Sequence, residues 1–308
     1  MRLLLPLLFL LLLPCHATAG DNEVKVAVSI KPLHSLVSSI MQGVAEPVLI
    51  VSTSGTPHGY NLRPSEARAL QQADLIVWVG PELESFMAKS LSNITRVESV
   101  MTLLTDLPEL LTHSARQGGA WGEHHDHGDS EHHEDNTDPH IWLNPKNASI
   151  IASAVSQKLI AIDPDNTAQY KRNHTTLLDR LTSLEQRLNK RLTRLKKRKY
   201  IVFHDAYQYF ENHFELKPVG ALAIDPDRRP GARRLTELKK VIRDLSVECV
   251  FTEPQFEPRL IKVLTEGTMV RTGILDPLGS DLKPGSDLYF ILMEQMADSL
   301  ASCLPKQN

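Results

Sequence analysis

The sequence predicts an α/β protein of two Rossmann-like lobes with parallel sheets, joined by one long rigid helix. Three observations carry that prediction. Short β-branched runs alternate with helical patterns from about residue 24 to 80, which is the signature of βαβ units. The same alternation restarts near residue 197. Between them, Leu177, Leu178, Leu181, Leu184, Leu188, Leu192 and Leu195 recur every three to four residues, as on one face of a long helix.

The elements follow in order. MRLLLPLLFLLLLPCHATAG reads as a secretory signal, residues 1–19, cleaved after Ala19 and directing the chain to the periplasm. Its apolar run, Leu3 to Leu13, is far short of the ~20 residues of a membrane-spanning helix. Cys15 lacks the small preceding residues of a lipidation site. The mature chain of about 290 residues exceeds what one ordinary core holds, so two lobes are expected. VKVAVSI is a strand, His34 to Gln42 a helix and PVLIVS a strand. A helix starts at Pro64 with Ser65 as N-cap and Leu70 on its apolar face, and ADLIVWVG has the continuous apolar character of a doubly covered parallel strand.

Between His113 and Asp138 periodicity vanishes into a Gly-, His- and acid-rich stretch. It is expected to be a mobile loop, because it offers too little apolar surface to offset its conformational entropy. The leucine helix runs from about Asn166 to Leu195; at ~1.5 Å per residue it would reach on the order of 45 Å and serve as a spine. KYIVFHDA, KPVGALA, VECVFTE and MVRTGILDPLG are then strands. Helices lie over AYQYFENHF, from Leu235 to Leu245 and from Pro258. A closing helix over 287–303 puts Leu288, Ile291, Leu292, Met296 and Leu300 on one face. The lobes are thus 20–165 and 197–308, with the helix of 166–196 between them.

The formal charge of −3 excludes a nucleic-acid partner, which would need a basic face. The basic run from Arg187 to Lys199 reads as a solvated helix face, and the arginines Arg228, Arg229, Arg233 and Arg234 as a solvated helix start. After cleavage two cysteines remain, Cys249 and Cys303, which in an exported chain invite a disulfide, with two free buried thiols as the other reading.

His58 in TPHGY, His140 in DPHIWLNP and His204 in VFHDAY are read as lying at strand ends or just after them, where open α/β sheets place ligands; Asp276 in ILDPLG holds the equivalent place in the second lobe. Neutral imidazole suits Zn²⁺, and three of them with a carboxylate or water complete a tetrahedron. Binding would weaken as pH falls through the histidine range near ~6.5. His124, His125, His127, His132 and His133, interleaved with acids, would hold further Zn²⁺ weakly and gather it for the cleft.

TPHGYNLRPSEARALQQADLIVWVGPELE, the His-rich loop, DPHIWLNP, FHDAYQYF, FTEPQF and LDPLG make the chain resemble, across its whole length, the ABC-importer substrate-binding proteins for zinc and manganese, in particular the ZnuA-type zinc branch. The resemblance implies a metal site in the interlobe cleft with His58, His140 and His204 as ligands. It also implies a Cys249–Cys303 bridge, a monomer, and delivery to an inner-membrane permease with its ATPase. His204 stands where manganese relatives typically have Glu, which favours zinc. Asp276 is expected within reach of the metal, with water as the alternative fourth ligand. The competing functions are a manganese carrier, a zinc buffer and a zinc hydrolase; against the last, no HExxH is present, and Asp205 reads as structural.

Overall fold

The computed structural model describes residues 23–52, 55–93, 99–116, 118, 120–121, 137–224, 230–256 and 259–304. The signal segment, the loop histidines His124, His125, His127, His132 and His133, and Arg228 and Arg229 lie outside them.

The first half runs β1 (Val26–Val28), α1 (Lys31–Met41), β2 (Val48–Leu49), α2 (Pro64–Gln72), β3 (Leu75–Trp78), α3 (Ser85–Leu91), β4 (Val100–Thr102) and α4 (Leu103–Asp106). Its sheet is parallel, in the order β2-β1-β3-β4. A 3₁₀ turn, Ile141–Leu143, leads into α5 (Pro145–Ile162) and then α6 (Thr167–Leu192). The second half follows as β5 (Lys199–His204), α7 (Gln208–Phe214), β6 (Lys217–Ala223), α8 (Ala232–Asp244), β7 (Cys249–Thr252), α9 (Arg259–Thr265), β8 (Arg271–Ile274) and α10 (Leu288–Cys303). Its sheet, β6-β5-β7-β8, repeats the first order and is also parallel.

The inner strands of both sheets are buried on both faces, and the period-two alternation of a strand shows it directly. Val26, Val28, Leu75 and Val77 enter the central core, while Ala27, Ile76 and Trp78 enter a separate cluster with Leu70 of α2 and Met87 of α3. In β5, Tyr200 and Val202 face the central core; Ile201 and Phe203 face Leu238 of α8 and Ile261 and Leu264 of α9.

The spine is α6, 26 residues and therefore about 39 Å long, extended by a 3₁₀ turn at Thr193–Leu195. Leu177, Leu181, Leu184, Leu188, Leu192 and Leu195 are all buried in the central core, so the leucine stripe is the packed face. Against it lie α5, α1 and α10. The last of these belongs by sequence to the second half but packs on two helices before the second sheet. A disulfide joins Cys303, at the end of α10, to Cys249 in β7.

Four local expectations are corrected. The N-cap of α2 is Arg63, not Ser65, because Pro64 takes the first helical position and the Glu66 carboxylate accepts the Arg63 backbone N–H at 2.8 Å. The first helix begins at Lys31 rather than His34, with Pro32 in its first turn. Ile291 is 44% exposed; the buried stripe of α10 runs Leu288, Leu292, Met296 and Leu300 with Tyr289 and Met293 beside it. Finally, the flanks of the stretch assigned to a mobile loop are packed: Ser114 bridges Thr137, and Ala120 bridges Gly220 of β6. An arginine and an indole, treated below, supply the anchoring that composition could not reveal.

Candidate metal centre

Both sheets have the strand order of a doubly wound fold, in which the crevice opens between the two central strands where the order reverses. In the second sheet those strands are β5 and β7. His204 is the last residue of β5 and Glu253 follows β7 directly, so the two side chains meet across the crevice: His204 Nδ1 lies 2.7 Å from Glu253 Oε1. The corresponding crevice of the first sheet is closed by its own residues. Glu84, fully buried, accepts from the Ser29 hydroxyl at 2.5 Å and from the Val79 and Gly80 N–H groups at 3.1 Å each.

His140 is not at a strand end. It precedes the 3₁₀ turn that leads into α5, and Asp138 fixes it twice, accepting its backbone N–H at 3.0 Å and lying 2.7 Å from its Nδ1. His58 comes from the turn after β2. His58, His140 and His204 each present one ring nitrogen, all within 4.8 Å of one another. His140 and His204 are 5% and 4% exposed, and their Nε2 atoms are 3.3 Å apart. The cavity they line is completed by Trp142, Phe256, Pro277 and Leu278.

Burial and the neighbouring His204 push His140 well below the ordinary histidine range. Burial also works against a charged His204, but Glu253, Asp205 and Asp138 together outweigh it and the His204 pKa is raised. Asp138, desolvated by burial, is pushed up to about 6. With a carboxylate on each Nδ1, the Nε2 lone pairs of His140 and His204 are turned toward one another, an arrangement suited to a cation between them.

Asp276 does not join this group. Its oxygens accept from the N–H groups of Leu278 at 2.9 Å, Gly279 at 3.0 Å and Ser280 at 2.6 Å, and from Gln255 Nε2 at 3.1 Å. DPLG is a turn signature as well as a carboxylate, and here the turn takes the side chain. Asp205 is likewise occupied: Arg116, from the flank of the His-rich stretch, forks onto it and onto Glu211 of α7 at 2.7 Å. The Arg116 guanidinium stacks 3.8 Å over Trp121, whose backbone N–H donates to Val219 O. Trp142, fully buried, donates its indole N–H to Pro277 O at 2.8 Å and so joins the halves beside the histidines. Sequence reasoning gave no role at the site to Glu253, Asp138 or Arg116. An acid just past an apolar strand run marks Glu253 by the same rule that found His204.

The fold, with a histidine cluster buried between two lobes on a rigid helical spine, is that of a two-lobed binding protein. The sequence profile of the family described as zinc-uptake complex component A, periplasmic (ZnuA), matches residues 26–303. High-affinity zinc uptake system protein ZnuA of Brucella abortus is 41% identical over 94% of this chain and 93% of its own, and the Yersinia pestis protein of that name 36% identical over 91% of each. The chain belongs to the ZnuA family. Among solved structures it is similar in fold to a crystal structure of ZnuA, with a TM-score of 0.75 and 24% identity over 92% of this chain and 100% of that one. It is also similar to the periplasmic zinc-binding protein TroA of Treponema pallidum, with a TM-score of 0.78 and 20% identity over 92% and 99%.

Proposed function

We propose that this chain is exported to the periplasm, binds Zn²⁺ through His58, His140 and His204, and delivers it to an inner-membrane ABC permease with its ATPase. The observation that carries the reading is the pair of facing Nε2 atoms, each set by a carboxylate on the opposite ring nitrogen, with His58 completing a three-imidazole face. A nitrogen-only donor set favours Zn²⁺ over the oxygen-seeking Mn²⁺. The names of the curated relatives point the same way.

The chain acts as a receptor and not as an enzyme: the nearby carboxylates Glu253, Asp138 and Asp205 are engaged by His204, His140 and Arg116, which leaves none of these three poised as a general base. It works as a monomer. Its units are the lobe of 20–165, the helix of 166–196 and the lobe of 197–308. His124, His125, His127, His132 and His133 gather Zn²⁺ weakly for the cleft. Because a single helix bends little, loading moves the lobes only slightly.

The test is a competition titration of the mature protein with Zn²⁺ and Mn²⁺, on the wild type and on His58→Ala, His140→Ala and His204→Ala. Loss of one tight zinc site in each variant, with weaker binding remaining, upholds the reading. Tight binding in all three variants, or equal competition by Mn²⁺, overturns it.

A further inference from the structure

The turn that carries Asp276 is gripped from the other half of the molecule. Lys31 opens α1 and is 7% exposed; its ammonium donates to the carbonyls of Gly279 at 3.3 Å, Ser280 at 2.5 Å and Leu282 at 3.1 Å. The same turn directs its N–H groups inward onto the Asp276 carboxylate. A peptide turn whose donors converge on an anion and whose acceptors converge on a cation is held from both sides, and charge-assisted hydrogen bonds are the stronger kind. Ser280 also receives the Gln255 amide, which bridges to Asp276. Pro277 and Leu278, in the middle of the turn, line the histidine cavity.

We infer that Lys31 is a specificity-determining residue: by clamping the 276–282 turn it keeps the Asp276 carboxylate committed to backbone N–H groups and out of the metal's coordination sphere. The inference rests on the zinc-binding reading of the three histidines. A carboxylate freed from the turn would add a hard oxygen donor beside three imidazoles, which benefits Mn²⁺ more than Zn²⁺. The clamp therefore selects by withholding a ligand, a form of discrimination against the competing ion.

The experiment uses the mature protein as wild type, Lys31→Met, Asp276→Asn and the double variant. Zn²⁺ and Mn²⁺ affinities are measured by competition, and Co²⁺ serves as a probe whose visible spectrum reports the donor set. In Lys31→Met the Zn²⁺:Mn²⁺ affinity ratio is expected to fall about tenfold, with a changed Co²⁺ spectrum. Both effects should vanish in the double variant, whereas Asp276→Asn alone leaves the wild-type spectrum unchanged. Persistence of the effects in the double variant, or their absence in Lys31→Met, overturns the inference. Should Lys31→Met fail to fold, Asp276→Asn decides: a spectrum altered from wild type means that the carboxylate is already a ligand, and the clamp has no such role. A wild type without a tight zinc site is a different result, which removes the functional reading and this inference with it.

Discussion

Nε2 of His204 lies 3.3 Å from Nε2 of His140, and on the far side of each ring a buried carboxylate stands 2.7 Å from Nδ1. At that separation the two nitrogens can reach one cation, and each ring is held in that orientation by its own carboxylate.

Removing the outer partners should then weaken binding without removing a ligand. Glu253→Gln and Asp138→Asn are each expected to lower zinc affinity by about tenfold to a hundredfold, because the rings lose their fixed orientation and part of their basicity. Competition titration measures it. An affinity unchanged in both variants would mean that packing alone orients the imidazoles.

Arg116 neutralises two buried acids at once. Arg116→Met leaves Asp205 and Glu211 without their cation, and breaking a buried pair in this way costs roughly 3–5 kcal/mol. Burial already raises Glu211 to about 7, so at pH 5 the variant can protonate these carboxyls and its deficit should shrink relative to pH 8. Urea midpoints at the two pH values test this, and a deficit independent of pH would contradict it.

Glu84 gives a pH dependence in the first lobe, away from the histidines. Burial raises its pKa from 4.5 to about 7, so between those values the folded chain holds a proton that the unfolded chain has released. Its contribution is fully present below pH 4.5 and is lost as pH rises through about 7, on the order of 3 kcal/mol. Glu84→Gln, which cannot ionise, should lose less stability than wild type between pH 5 and pH 8 in the metal-free protein. Parallel stability curves for the two proteins would rule Glu84 out as the source.

Much of this was legible in the residues. The sheets could be read because apolar strand runs alternate with amphipathic helices, and α6 because its leucines keep one stripe. His58 and His204 follow from their places after strands. The sequence did not disclose whether a polar side chain faces the cavity or its own backbone, and Asp276 shows why: an Asp heading a Pro-Leu-Gly turn has three N–H groups within reach before any ligand arrives. Lys31 and Arg116 were invisible for another reason. Their partners are 248 and 89 residues away respectively, and no local pattern encodes a pairing across that distance. Ile291 was misplaced because the first turns of α10 are apolar all round; it stands in line with Glu294, Gln295 and Asp298, on the outward side of the helix.

The bridge between Cys249 and Cys303 spans 54 residues and, by the loop-closure argument, stabilises the chain by about 4 kcal/mol. Its placement has a thermodynamic consequence beyond that sum. One end is in a strand of the second sheet, and the other is on α10, which packs on α1 and α6. If the second sheet melts while α10 stays docked on α1 and α6, the tether on β7 limits the chain entropy it gains, so the oxidised molecule should behave as one cooperative unit with a single calorimetric endotherm. Reduction and alkylation would uncouple the two, and an earlier, smaller transition from the layer of α8 and α9 should then separate from the main one.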